Sequence, residues 1–403
     1  MQLENKWIIS VRSTIFLTLV GAIIGVGVYG CRKEEPQPEK QIESVEHPAE
    51  DYTPPKAPVS LGSYKDCKIV GVTGLRGNKE VCVMDYDGSN LTNLTNTPFG
   101  FDEDYPSWSP DGRKIMYCTG TPRTYRGRSS QPAYAGEIYV MNVDGTEKQN
   151  LTNNPALDYH SSWSPDGKKI LFISKRDGNK EIYVMNADGT DQRNLTHNPA
   201  IDDYASWSPD GSKIVFVSHR DRKENDRNIE IYVMNADGTN QRNLTNHPGR
   251  DQIPSWSPDG SRIGFSSTRD NNEDIYIMNA DGSGIMRLTD YRGADEGILW
   301  WPDGKKIIFI SNRESPGEQF GYDTYIMNAD GSEQQKFLDG FGIFSGGGSH
   351  WSPDGEKILF FWRGWYTMNP DSTEKQLFAS KGMMRLSWSP FLPLETLENN
   401  VQK

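Results

Sequence analysis

Between residues 67 and 390, apolar and polar positions alternate with a period of two in short runs, and the runs recur in sets of four. The set at residues 203–245 shows the pattern. Asp203 to Ser208 reads as a first strand, A, holding Trp207; Lys213 to Ser218 alternates as strand B, with Ile214 and Phe216 on one face. Glu230 to Asn235 reads as strand C, and Asn240 to Thr245 as strand D. Pro209-Asp210-Gly211 supplies a hairpin turn, proline fixing φ and glycine accepting the left-handed conformation, and Ala236-Asp237-Gly238 makes the second turn.

Two landmarks mark the copies. Trp-Ser-Pro-Asp-Gly begins at Trp108, Trp163, Trp207, Trp256 and Trp351, with a degenerate copy at Trp300 and a truncated one at Trp388. Met-Asn-Ala-Asp-Gly or a near relative begins at Met84, Met141, Met185, Met234, Met278, Met327 and Met368. The tryptophans lie 37 to 55 residues apart, the period of four-stranded propeller blades. Such a sheet buries both faces only by stacking between copies of itself, so the landmarks are expected to pack between blades. The first unit, from Lys68, lacks strand A, and the segment Met384–Pro390 supplies a strand A and stops. The prediction is an all-β, seven-bladed propeller of four-stranded antiparallel blades, its first blade closed by the C-terminal strand, with six blades as the alternative.

The N-terminus breaks the pattern. Lys6 and Arg12 precede an uncharged run from Ser13 to Gly30 that ends Val28-Tyr29-Gly30-Cys31. This reads as residues 1–31 forming an export signal with Cys31 as lipid attachment site, or as an uncleaved membrane anchor. Either places the rest of the chain outside the cytoplasm. Residues 32–66, rich in Pro, Glu and Lys, have no apolar periodicity and read as a disordered tether. The propeller occupies 67–390, and 391–403 is a tail.

Composition excludes more than it selects. With 55 acidic and 43 basic residues, net charge −12, no basic surplus exists for nucleic-acid binding. The cysteines Cys31, Cys67, Cys82 and Cys118 form neither a paired-Cys metal motif nor a disulfide framework, and Cys82 and Cys118 sit in apolar strands as buried thiols. Neither a Gly-x-Ser-x-Gly elbow nor an HExxH motif occurs. Asn-Leu-Thr at Asn93, Asn150, Asn194 and Asn243 matches a glycosylation acceptor but falls in one strand each time, as a structural repeat would.

The double landmark resembles the propeller repeats of the TolB type, a WD-like family of bacterial envelope proteins, over residues 67–390. TolB itself carries an α/β domain before its propeller, where this chain has only the linker, and its propellers usually have six blades. The resemblance implies an envelope protein facing the periplasm or exterior, and in TolB one mouth of the channel receives a partner protein. It also implies two enzyme classes to weigh: propellers preceding a serine-peptidase domain, and propellers that cleave polyuronates with metal-binding histidines. Only His160 and His350 stand near the start of a strand A, too few for the second.

The candidate surface follows from strand order. A–B and C–D turns share one face and are near-identical; B–C and D–A loops share the other and vary, so that face is expected to bind. On it lie the insertion holding Arg123, Tyr125, Arg126 and Arg128, and the aromatic stretch Phe361 to Trp365. Asp104, Asp158, Asp203, Asp251 and Glu296 each stand a few residues before a strand A landmark. They are expected to ring the channel mouth, attracting a basic partner segment or a cation such as calcium. The reading is a monomeric, non-catalytic protein-binding platform of the cell envelope, without cofactor. The alternative is a carbohydrate-binding or polyuronate-cleaving propeller with its site in the channel.

Overall fold

In a computed structural model of the chain, the described residues are 63–75, 78–98, 101–121, 135–222, 228–315, 321–339, 351–361, 364–379 and 383–390. The export signal with Cys31, almost all of the tether, the insertion bearing Arg123, Tyr125, Arg126 and Arg128, and His350 lie outside them. The fourth unit shows how a copy folds. Strand A (Asp202–Trp207), B (Lys213–Ser218), C (Glu230–Asn235) and D (Arg242–Asn243) pair antiparallel in chain order. Gly211 closes the first turn at φ 70°, its amide donating to the Ser208 carbonyl at 2.8 Å.

Strand D is shorter than the pattern predicts, and the Asn-Leu-Thr motif is the reason. The Asn243 side chain accepts the amides of Thr245 and Asn246, both at 2.9 Å, curling the chain out of the sheet. The Thr245 hydroxyl accepts the Ile231 amide at 3.0 Å and donates to Glu230 of strand C. Asn194 and Thr196 repeat the arrangement, so the motif is a strand terminator.

Strand B is buried on both faces, as stacking requires. Ile214 and Phe216 join the core shared with the third unit, while Val215 between them joins the core shared with the fifth. A buried side chain of this size contributes about 1.5–3 kcal/mol, so each seam is a substantial core. Among the described residues, seven apolar clusters of this kind join each unit to the next and the last to the first. The last seats Leu359 and Trp365 of the seventh unit against Ile69, Met84 and Trp388 of the first. All seven landmark methionines are buried in these seams.

The ring closes through the predicted composite blade. Strand A from the C-terminus (Met383–Trp388) pairs antiparallel with strand B of the first unit (Lys68–Leu75). Three of the landmark tryptophans latch neighbouring A strands: Trp108 Nε1 donates to the Ser387 carbonyl at 3.3 Å, Trp256 to Ser206 at 3.4 Å and Trp300 to Ser255 at 3.1 Å. Among the described residues the seventh unit has three strands, and Trp351 bridges to Ile358 where its strand A would lie. Trp365, in the aromatic stretch, is buried and donates to the Met383 carbonyl at 2.9 Å, so it packs rather than binds. Cys82 and Cys118 are free, buried thiols, as is Cys67, their pKa pushed up to about 12 by burial. No helix among the described residues is long and apolar enough to cross a membrane.

Candidate interaction face

Every complete strand A begins on the loop face, and its first residues decide what that face presents. Counting back from the landmark tryptophan in the second to sixth units, the fifth residue is Glu103, Asp158, Asp202, Asp251 or Asp295, and the fourth is Asp104, Tyr159, Asp203, Gln252 or Glu296; in the C-terminal strand they are Met383 and Met384. Side chains of neighbouring strand residues point to opposite sides. The five carboxylates expected to form one ring therefore belong to two layers.

The fifth position is internal. Asp158 and Asp251 are fully buried, which corrects their expected place at the channel mouth. Each pairs with an arginine just past strand B: Asp158 with Arg176 at 2.9 Å and Asp251 with Arg269 at 3.0 Å, as Asp202 does with Arg220 and Asp295 with Arg313. The Arg220 guanidinium also lies over the Tyr232 ring at 4.6 Å and donates to Ser218 and Gln241. Burial pushes these carboxyls up, Asp202 to about 6, against the pull of the serine and arginine beside them. These arginines were missed from sequence, although Ser-x-Arg-acid recurs at Ser174, Ser218, Ser267 and Ser311. In the second unit the arginine's position in the sequence is held by Thr121; Glu103 is fully buried and, among the described residues, has no cationic partner, only the Thr97 side chain beside it. Burial pushes the Glu103 carboxyl up to about 7.

The fourth position forms the rim, and it is not a ring of like charge. Asp104 pairs with Lys79 at 3.0 Å and with Arg385. Asp203 pairs with Lys180 and lies 3.8 Å from His160 Nδ1. Burial opposes the Asp203 charge, but His160 and Lys180 outweigh it and hold the carboxyl below its ordinary range. Glu296 differs: its partner is the Tyr322 hydroxyl.

The third position is a bulge in every described copy. Tyr105, His160, Tyr204, Ile253 and Arg385 all adopt left-handed φ between 49° and 54°, and Gly297 follows at 69°. Register breaks in the A–B pairing at these points. Left-handed φ on a β-branched or aromatic residue costs of order 1–3 kcal/mol and persists where the fold over-determines it. The bulge residues adjoin one another: Arg385 lies 3.6 Å over the Tyr105 ring, Tyr105 is 5.4 Å from His160, and His160 is 6.1 Å from Tyr204. Tyr204 is 54% exposed and Ile253 36%. Phe101, Ile201, Tyr291 and Met384 are also exposed, at strand starts or in loops of the same face.

The turn face offers a different opening. Around the axis a cavity of about 540 Å³ is lined by the landmark motifs, including Trp108, Trp163, Trp351, Pro302 and Pro390. Among the described residues no cluster of three His, Cys, Asp or Glu side chains could hold a metal ion.

The family of the Tricorn protease N-terminal beta propeller domain matches residues 131–230 and 228–364, more than half of the chain. The Protein TolB homolog of Chlorobium chlorochromatii is 33% identical over 140 residues, 27% of this chain and 31% of that protein. The Tol-Pal system protein TolB of Alcanivorax borkumensis is 28% identical over 146 residues, 35% of this chain and 30% of that protein. The chain thus spans about a third of the length of these curated relatives. An oligogalacturonate lyase solved in complex with manganese superposes with a TM-score of 0.55 at 12% identity, over 77% of this chain and 84% of that one. At that identity the likeness is one of fold.

Proposed function

This chain belongs to the family of the Tricorn protease N-terminal beta propeller, as a TolB-like member, and from that premise we propose that it is a non-catalytic, protein-binding platform of the bacterial cell envelope. Binding takes place on the loop face, at the channel mouth. One observation carries the reading: exposed apolar and aromatic side chains gather there, with Tyr204 and Ile253 held outward in strained left-handed bulges. A fold that holds two such residues in a costly conformation, half in water, is arranged for contact rather than stability. The turn face supports the contrast, because its carboxylates are capped locally by serine and threonine.

Asp104, Asp203 and Glu296 belong to this surface as rim residues, and Arg123, Tyr125, Arg126 and Arg128 of the insertion are further partner-binding residues. Asp158 and Asp251 act from beneath it. The chain is a monomer anchored through the segment ending at Cys31, its propeller outside the cytoplasm. No cofactor is required, and a cation such as calcium, if bound, would sit at the rim. The names of its TolB relatives support an envelope partner.

The test is site-specific photocrosslinking in cells with the full, anchored chain. A photoreactive residue at position 204 or 253 should capture protein adducts, and one at position 168, on the turn face, should not. Equal capture at 168, or none at 204 and 253, rejects the reading. Glycan binding with no protein adduct would favour the channel-site alternative, for which the aromatic series Tyr105, His160 and Tyr204 speaks.

A further inference from the structure

The seams between blades supply their own control. The residue opening strand C lends its carbonyl to the amide that opens strand A of the next blade. Lys180 accepts from Asp202 at 3.0 Å, Ile229 from Asp251 at 2.8 Å and Glu273 from Asp295 at 2.7 Å. This bond sets the residue opening strand C beside the rim residue of the following blade. At the third seam the pair is Lys180 with Asp203, and at the first it is Lys79 with Asp104. At both, the fold supplies a cation to the rim carboxylate.

At the fifth seam the same two positions hold Glu273 and Glu296. Neither has an ion-pair partner among the described residues. The Gln252 amide donates to Glu273 Oε1 at 2.5 Å, and the Tyr322 hydroxyl binds Glu296. Arg250 is near, yet its guanidinium donates to the Gln252 oxygen at 2.7 Å rather than to a carboxylate. Burial and the neighbouring Glu296 push the Glu273 carboxyl up, a sign of charge left unbalanced. Exposed apolar side chains flank the pair, Ile253 on the rim and Tyr291 on the loop leading into the sixth blade.

We propose that this seam seats a basic side chain, lysine or arginine, carried by an apolar stretch of a partner protein. The partner supplies the cation that Lys79 and Lys180 supply from within at the other two seams. Apolar neighbours give the contact area, and the carboxylate pair sets which segment fits. The inference rests on the protein-binding reading above.

A fluorescence polarisation experiment on the detergent-solubilised full chain tests it. The probes are labelled heptapeptides with a central arginine between leucines, and the same peptide with citrulline in place of arginine. The wild type should prefer arginine by tenfold or more, and the preference should shrink with added salt. Glu273→Lys builds at the fifth seam the lysine–carboxylate pair of the other seams. It should abolish the preference while leaving the melting temperature unchanged or raised. Glu296→Gln should weaken the preference partway. Equal affinity for both peptides in the wild type, or a preference that survives Glu273→Lys, overturns the proposal. If either occurs while photo-adducts at position 204 persist, the basic anchor falls and the platform reading stands; if those adducts are absent too, both fall.

Discussion

The two layers at the start of strand A are one residue apart and do opposite work. At the inner layer, four blades place the same aspartate against the same arginine, buried and stacked on the same tyrosine. At the rim, the copies hold Asp104, Tyr159, Asp203, Gln252 and Glu296. Because the backbone is repeated, each position is tested several times within one molecule. Where the copies agree, the residue holds the blade; where they diverge, the fold has left the choice open. A repeat protein thus separates its stabilising residues from its recognising ones without reference to any relative.

The comparison is broken most severely from the inner layer. Arg220→Ala leaves Asp202 buried and unpaired, and should cost about 3–5 kcal/mol in urea unfolding. A cost under 1 kcal/mol would mean that the inner pairs are not what holds the blades.

Glu103 sharpens the comparison, since it is the inner-layer residue whose arginine position holds threonine. Its folded pKa of about 7 stands above the ordinary 4.5. Below pH 4.5 the carboxyl is protonated folded or unfolded, and costs nothing through ionisation. As pH rises towards 7 the unfolded chain ionises first, so stability falls; above 7 the full penalty, about 3 kcal/mol, is in place. Melting temperatures should therefore decline more steeply between pH 5 and 8 in the wild type than in Glu103→Gln, where Asp202 and the other raised carboxyls still contribute. Parallel curves would refute the assignment.

The smallest expected effect falls on the rim. Tyr204→Gly deletes a large side chain yet relieves a left-handed φ, so the melting temperature should not drop. Photo-adducts at position 253 should nevertheless weaken. A loss of stability beyond about 1 kcal/mol would place Tyr204 among the structural residues.

The fold was legible because its signals are local. Each hairpin announces itself by Pro-Asp-Gly or Ala-Asp-Gly between runs of period two, and Met384 to Pro390 had no partner but the bare first unit. The rim was only partly legible. Asp104, Asp158 and Asp251 look alike in sequence, but a one-residue offset from the tryptophan sends Asp158 and Asp251 inward. That offset can be read off the chain by aligning copies on Trp108, Trp163 and Trp256. The left-handed bulge could not be read so easily, because Tyr105, Tyr204 and Ile253 carry no glycine-like signal and are held there by the pairing on either side. The arginines of the inner layer sat in a repeated tetrapeptide whose meaning depends on a contact 18 residues back along the chain.

Blade closure has a consequence for how the molecule is made. The Lys68 amide donates to Ser389 across 321 residues of chain, so the first blade stays without its inner strand until the units between them have been synthesised. Joining ends that far apart costs about 5 kcal/mol in chain entropy, recovered only when the completed strand docks and the last seam fills. A product truncated before residue 383 can stack its middle blades, yet it has no strand with which to lock the ring. The architecture therefore acts as an inspection of length: the last hydrogen bonds to form report that the strand closing the first blade has been made.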